Sequence, residues 1–292
     1  MFRTLSLAAV AALVVAAPVE AKRIAFFTPV QKIARADAVV VGKVGSIEKE
    51  PVSVAQFPND PNKVDYKVAV VKVENGLIGA DNTTHIKVGF IPAPPADPNS
   101  PAVPPGRPGR GGLPAVTLAE GTEGLFYLTK HHSGKFYTIN PIMAPVDAKA
   151  DDYKKQVELA KKAAAVLADP AKALKADKAD DRLFAANMLV NKYRTYPDGA
   201  EEVENVKVGA DESKLILKAL AEGNWKPDPM DANAPNAFQA FSMLGLNEMD
   251  GWTYPMVKPG EDFIDKTKDA FTAWQAGKGK DYQVTKIVAK KK

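Results

Sequence analysis

Side-chain periodicity changes once along this chain, near residue 148, and that change constrains the fold more than any motif does. Before it, apolar residues come in short β-branched runs or at alternate positions, the spacing of strands; after it they recur every three or four residues, the spacing of helices. The expectation is an α+β protein, with a sheet-built unit over 22–147 and an α-helical domain over 148–292.

The first half opens with Thr28-Pro29 ahead of Val30, Ile33 and Ala34, an N-cap and a first-turn proline that predict a two-turn helix ending near Ala36. Ala38-Val39-Val40-Val41-Gly42-Lys43-Val44-Gly45-Ser46-Ile47-Glu48 predicts a long strand whose first part is buried on both faces, with Gly42 and Gly45 inviting bends. In Val64 to Val73 the apolar phase slips between Val70 and Val71, which predicts a bulge, and Asn75-Gly76 predicts a closing turn. Thr84 to Ile91 alternates, placing Ile86, Val88 and Phe90 inward and His85 and Lys87 outward. Gly124 to Thr129 and Phe136 to Ile139, joined by His131-His132-Ser133-Gly134-Lys135, predict a hairpin. The hairpin aromatics Phe126, Tyr127, Phe136 and Tyr137 are expected to lie half in the core and half on the surface.

Between the third and fourth of these strands, residues 92–114 hold nine of the 23 prolines and four glycines, a composition that supports neither a hydrogen-bonded ladder nor a buried face. Such an exposed loop is either a disordered insertion or a partner-binding segment, with Arg107 and Arg110 as its candidate contacts.

In the second half Tyr153, Val157, Ala160, Ala164 and Leu167 form one helical stripe bounded by Asp151-Asp152 and Pro170. Asp181 to Tyr196 carries a wider stripe and is expected to be the central helix. Glu212 to Glu222, Asn236 to Leu246 and Glu261 to Ala276 predict three further helices, while Tyr282 to Val288 suits either strand or helix.

The N-terminus predicts a destination. Arg3, the apolar run Leu5 to Ala17 and the small residues of Val19-Glu20-Ala21 form an export signal cut before Lys22, so 1–21 is expected to be removed and the mature chain to be secreted or periplasmic. Cleavage removes one basic and one acidic residue, leaving the net charge at +4. The basic residues are dispersed except for Lys286, Lys290, Lys291 and Lys292, so a nucleic-acid partner is not expected. The absence of cysteine excludes disulfides, thiolate metal sites and Cys nucleophiles; with no cysteine at the cut, a lipidated N-terminus is not expected either. No second long apolar run predicts a membrane span in the mature chain.

Three stretches carry a resemblance: Ala36 to Val44 after the short helix; Tyr66 to Gly79, ending Leu77-Ile78-Gly79; and Leu118 to Leu128, containing Glu120-Gly121-Thr122-Glu123-Gly124-Leu125-Phe126-Tyr127-Leu128. Over about residues 28–142 the chain resembles the five-stranded OB-type barrel of the netrin-module and tissue-inhibitor-of-metalloproteinase group, as found in exported bacterial proteins. The resemblance implies a barrel rather than an activity. Inhibitors of that group place an N-terminal cysteine on the protease zinc; this chain has none, so that activity does not carry over. The later helices loosely resemble HEAT-type pairs at Leu183 to Tyr196 and Leu215 to Leu220.

Chemistry is sparse in the sequence. His131 and His132, adjacent on an extended segment, are expected to project to opposite sides as exposed loop residues, and His85 lies apart beside Lys87, so no shared metal is expected. Asp228, Asp231 and Asn233 lack the spacing of a calcium loop. Phosphate loops, nucleophile elbows and cofactor motifs are absent. Trp225, Trp252 and Tyr254 sit in proline-bearing loops, either as plugs of a helical bundle or as a patch for a peptide or glycan. The expected function is non-catalytic binding or scaffolding in the cell envelope, of a protein or envelope component, through His131, His132, Arg107, Arg110, Trp252 and Tyr254. The alternative is an envelope hydrolase using a hairpin histidine.

Overall fold

A computed structural model describes residues 27–92, 116–228, 230–231 and 233–290. The export signal, Arg107, Arg110 and almost all of the Pro-rich segment lie outside the described residues. The chain is mixed α+β. It opens with α1 (Pro29–Arg35), capped by Thr28, whose hydroxyl accepts from Gln31 N while the Gln31 side chain accepts from Thr28 N. There follow β1 (Ala38–Ile47), β2 (Val52–Ala55), β3 (Lys63–Ile78), β4 (His85–Phe90), β5 (Glu123–Lys130), β6 (Tyr137–Thr138) and β7 (Val146–Asp147). Among the described residues these seven strands form one sheet.

Five of them pair in a ring: β1 with β3, β3 with β4, β4 with β6, β6 with β5, and β5 back to β1. All of these pairs are antiparallel except β4 with β6. Register shifts in the β1–β3 ladder let it curl. The shift beside Val70 and Val71 puts the extra residue on β1, at Gly45, rather than on β3. Asn75-Gly76 does not end β3: the strand runs on to Ile78, with Val41 opposite Asn75 and Val40 opposite Gly76. Glycine is needed there because a Cβ on Gly76 would come within 2.4 Å of the Ala80 carbonyl oxygen. The chain instead turns at Gly79, at φ +62°.

Alternation sorts the side chains of β1 and β5 between two cores. Ala38, Val40, Val44, Phe126 and Leu128 join Val71, Ile86, Val88 and Phe90 inside the ring. Val39, Leu125 and Tyr127 point the other way, into a second cluster with the helices. Phe126 and Tyr127 are thus both fully buried, whereas the sequence suggested that the hairpin aromatics would be partly surface.

The helices are α2 (Tyr153–Ala168), α3 (Pro170–Leu174), α4 (Ala179–Tyr193), α5 (Ala210–Glu222), α6 (Ala237–Leu244) and α7 (Phe263–Ala276). In α2 the buried stripe is Gln156, Ala160, Ala163 and Val166, rotated slightly from the one expected. It turns Gln156 inward, where Oε1 accepts a 3.0 Å hydrogen bond from the Tyr127 hydroxyl. Helix α4 is central, buried without interruption from Leu183 to Asn191; it ends at Tyr193, leaving Tyr196 exposed. Its Lys192 Nζ donates to the Ala34 and Ala36 carbonyls at 3.0 and 3.4 Å, satisfying the C-terminus of α1.

The second half is not wholly helical. Strands β8 (Val203–Lys207) and β9 (Thr285–Ala289) pair as an antiparallel ribbon, so the Tyr282 to Val288 segment forms strand only from Thr285 onward, and another strand stands before α5. Among the described residues no helix is long and apolar enough to cross a membrane.

Two glycines of positive φ separate strain from crowding. At Gly79 a Cβ would fall 2.0 Å from the Asp37 carbonyl oxygen; at Gly121 (φ +83°) it would meet nothing within 4 Å. Gly79→Ala should therefore cost about 3–5 kcal/mol and Gly121→Ala about 1–2, read from urea unfolding midpoints. Equal shifts would contradict the close approach of β3 to the α1–β1 junction.

Candidate functional site

The β5–β6 hairpin is held to the end of α1 by two bonds: Asp37 N donates to the Leu128 carbonyl at 2.9 Å, and Lys130 N donates to Asp37 Oδ2 at 2.7 Å. Beyond Lys130 the turn is closed by His131 N donating to the Phe136 carbonyl at 3.0 Å and by Gly134, at φ +71°, donating to the His131 carbonyl at 2.8 Å. This tight turn folds His131 back over the hairpin. Its ring stacks on Phe136 with centroids 4.7 Å apart and meets Tyr66 edge-on at 5.4 Å.

The two histidines do not diverge as extended geometry implied. Their ring centroids are 4.2 Å apart, with His131 only 5% exposed and His132 lying over it. The turn, rather than a strand, sets their directions. His132 Nε2 donates to the Ala55 carbonyl at 2.8 Å, tying the hairpin to the end of β2.

A cleft of about 430 Å³ opens here. Its walls are the histidine pair and Tyr66, the Phe57-Pro58 connection between β2 and β3, the turn from Asn140 to Ile142, and Asp198-Gly199 from the segment after α4. That last segment is braced by Asn59 Nδ2 donating to Glu201 Oε1 at 3.1 Å. Both halves of the chain therefore contribute to the cleft.

His131 Nδ1 accepts from Ser133 N at 3.2 Å and lies 2.9 Å from Ser133 Oγ. The neutral ring then carries its proton at Nε2, and Nε2 is buried with no hydrogen-bond partner. An orphaned donor of this kind costs about 1–3 kcal/mol, which a ligand acceptor would return. Burial and the neighbouring His132 charge hold the His131 pKa below its ordinary value, while the nearby Ala55 carbonyl, whose hydrogen bond comes from His132, pulls it the other way. Partial burial of its carboxylate and the Asp37 charge push Asp198 up, opposed by the Thr129 hydroxyl and the Arg35 guanidinium. A donor that stays neutral and a carboxylate of raised proton affinity thus share one opening.

For acyl transfer a histidine needs a nucleophile on one nitrogen and an orienting acceptor on the other. Ser133 supplies the first contact, but Nε2 lacks the second. Among the described residues no three His, Cys, Asp or Glu side chains gather to hold a metal ion.

The other sequence candidates lie elsewhere. His85 is exposed on β4 and borders a different, smaller depression, with Lys87 and Lys135. Trp252 is 2% exposed, enclosed by Phe241, Phe271 and Trp274, and Tyr254 caps this cluster at 51% exposure. Trp225 is buried in the same group and donates from Nε1 to the Leu220 carbonyl at 2.9 Å, closing the end of α5. Asp231 pairs with Lys155 at 3.3 Å. A larger depression of about 750 Å³ lies between the β8–β9 ribbon and Gly245 to Gly251. There Arg194 is engaged by Met243, Asn205 and Thr285. None of the buried, unpartnered side-chain atoms among the described residues belongs to it.

Sequence reading missed Tyr66, Phe57, Asn140 and Asp198 as members of the cleft. The one local trace of Asp198 is its Pro-Asp-Gly turn, with Gly199 at φ +73°. No protein-family profile and no curated protein matches this chain.

NMR titration should find His131 below its ordinary pKa of 6.5, and His132→Ala should move it upward by removing a neighbouring positive charge. The unfolded chain takes up its proton at the ordinary pKa and the folded chain only at lower pH. Stability from this residue is therefore complete above 6.5 and declines as the pH falls through the window beneath. A His131 pKa at or above the ordinary value would overturn the buried placement.

Proposed function

We propose that this chain is an exported, non-catalytic binding protein of the cell envelope, secreted or periplasmic, and that the His131 cleft is where it takes its partner. Its N-terminal ring is read as an OB-type barrel of the netrin-module kind. In favour of that reading are the five-membered closed pairing and the single parallel contact of β4 with β6, compatible with a Greek-key barrel of this class. In favour of export is the tripartite character of Met1 to Ala21.

The observation that carries the binding role is the buried, unpartnered Nε2 of His131 in the wall of an open cleft. It is a group held ready for a hydrogen bond that the protein does not itself supply. The Ser133 Oγ contact with His131 Nδ1 favours a second reading, an envelope hydrolase, but an imidazole with no orienting acceptor on Nε2 is a poor general base.

Immobilised protein incubated with envelope extract should retain a component that the double variant His131→Phe, Asp198→Ala loses, while circular dichroism and the unfolding midpoint of the variant stay near those of the parent. Equal retention by both would remove the cleft from the binding role. Turnover of ester or peptide substrates that disappears in His131→Ala would replace binding with hydrolysis.

A further inference from the structure

The geometry points to a neutral saccharide as the occupant of this cleft, one sugar ring lying against Phe57 and its hydroxyls shared between His131 Nε2 and the Asp198 carboxylate. This occupant presupposes the binding role of the cleft.

Phe57 is the first reason. It is 60% exposed at the cleft, beside Pro58, although burying an aromatic ring of that size is strongly favourable. A flat apolar face left open next to polar groups suits a ligand that is itself apolar on one face and hydroxylated at its edge, as a pyranose is.

The polar groups are the second reason. His131 Nε2–H and the Lys130 ammonium can only donate; the Asp198 carboxylate accepts. A hydroxyl does both, so one ligand of repeated hydroxyls can satisfy each group in turn. An anion would gain the donors but meet Asp198 and the nearby Asp37 charge; a cation would gain Asp198 but meet Lys130 and the Arg35 charge. No single sign of charge dominates the opening.

The third reason disfavours an extended peptide, which binds by adding a strand to a free sheet edge. At the cleft β6 is already paired on both sides, by β4 and β5. The Ala55 carbonyl at the end of β2 already accepts from His132. Meanwhile stacking of His131 on Phe136 and its edge contact with Tyr66 fix the donor before any ligand arrives, which limits the ordering cost of binding. The volume, about 430 Å³, falls within the usual range of small-molecule sites, roughly 300–1,000 Å³.

The test is calorimetric titration of the purified chain with maltotetraose, cellotetraose and chitotetraose, and with tetragalacturonate as the charged counterpart, followed in parallel by NMR of the His131 ring. Saturable binding of at least one neutral sugar is expected, with movement of the His131 signals. Phe57→Ala and His131→Phe, which keeps an aromatic ring but removes the donor, should each weaken it about tenfold. Tyr254→Ala, in the separate aromatic cluster, should leave it unchanged. Absence of binding by all three neutral sugars, tighter binding of tetragalacturonate, or affinity unaltered in both cleft variants would overturn the assignment. If the sugars fail while cleft-dependent capture from envelope extract persists, the ligand class falls and the binding role stands; if both fail, both fall.

Discussion

Strands β1 and β5 pair from Ala38 opposite Leu128 to Lys43 opposite Glu123, and each presents its two faces to two different cores. This two-sided burial governs the rest of the fold. Period-two alternation sends Val40, Phe126 and Leu128 into the ring and Val39, Leu125 and Tyr127 toward the helices. A one-residue slip of either strand would exchange the two sets. With each large apolar side chain contributing about 1.5–3 kcal/mol on burial, that exchange would disturb both cores together. Register is consequently fixed from two directions, and the helices become part of what keeps the ring closed. Polar contacts follow the same line: the Tyr127 hydroxyl, emerging on the helical side of β5, meets Gln156 of α2, and Lys192 of α4 caps α1.

Much of this was legible because it is local. The uninterrupted Ala38-Val39-Val40-Val41 run signals a strand covered on both faces, and the clean alternation from His85 to Phe90 signals one covered on a single face. The helices α2, α4, α5, α6 and α7 announce themselves by the three-and-four spacing of their apolar residues, and the structure adds side-chain caps from Asn236 to α6 and from Asp262 to α7. The β8–β9 ribbon did not, since Val203-Glu204-Asn205-Val206-Lys207 is mostly exposed and carries little apolar pattern. Its partner lies some eighty positions later in sequence, and only tertiary proximity makes the pair. Asn75-Gly76 misleads for a related reason: glycine there admits the Ala80 backbone at short range, a need indistinguishable in sequence from that of a turn.

The cleft was the least legible feature, and its difficulty is topological. His131 and His132 were visible as a pair, but their relative direction depends on the Gly134 turn rather than on strand geometry, so the expected divergence became a tilted ring contact at 4.2 Å. Asp198 comes from beyond α4, and Tyr66 from β3. Nothing in the neighbourhood of either residue says that they meet. The same bonds that close the fold bring them together: Asp37 locks the hairpin to α1, α1 rests on α4, and the chain leaving α4 delivers Asp198 to the opening.

An orphaned donor alone does not distinguish a site. Trp252 Nε1 is also buried without a partner, but it sits inside a sheath of aromatic rings, where the packing energy of the cluster offsets one missing hydrogen bond. His131 has aromatic neighbours too; what separates it is that a cleft runs along its ring and brings a carboxylate and an exposed phenyl face within the same opening. At a purely structural position an apolar ring of similar size would keep the packing and remove the unsatisfied nitrogen. The arrangement instead holds a neutral imidazole between aromatic rings beside an opening that also carries a carboxylate and an open phenyl face, a combination that packing alone does not call for.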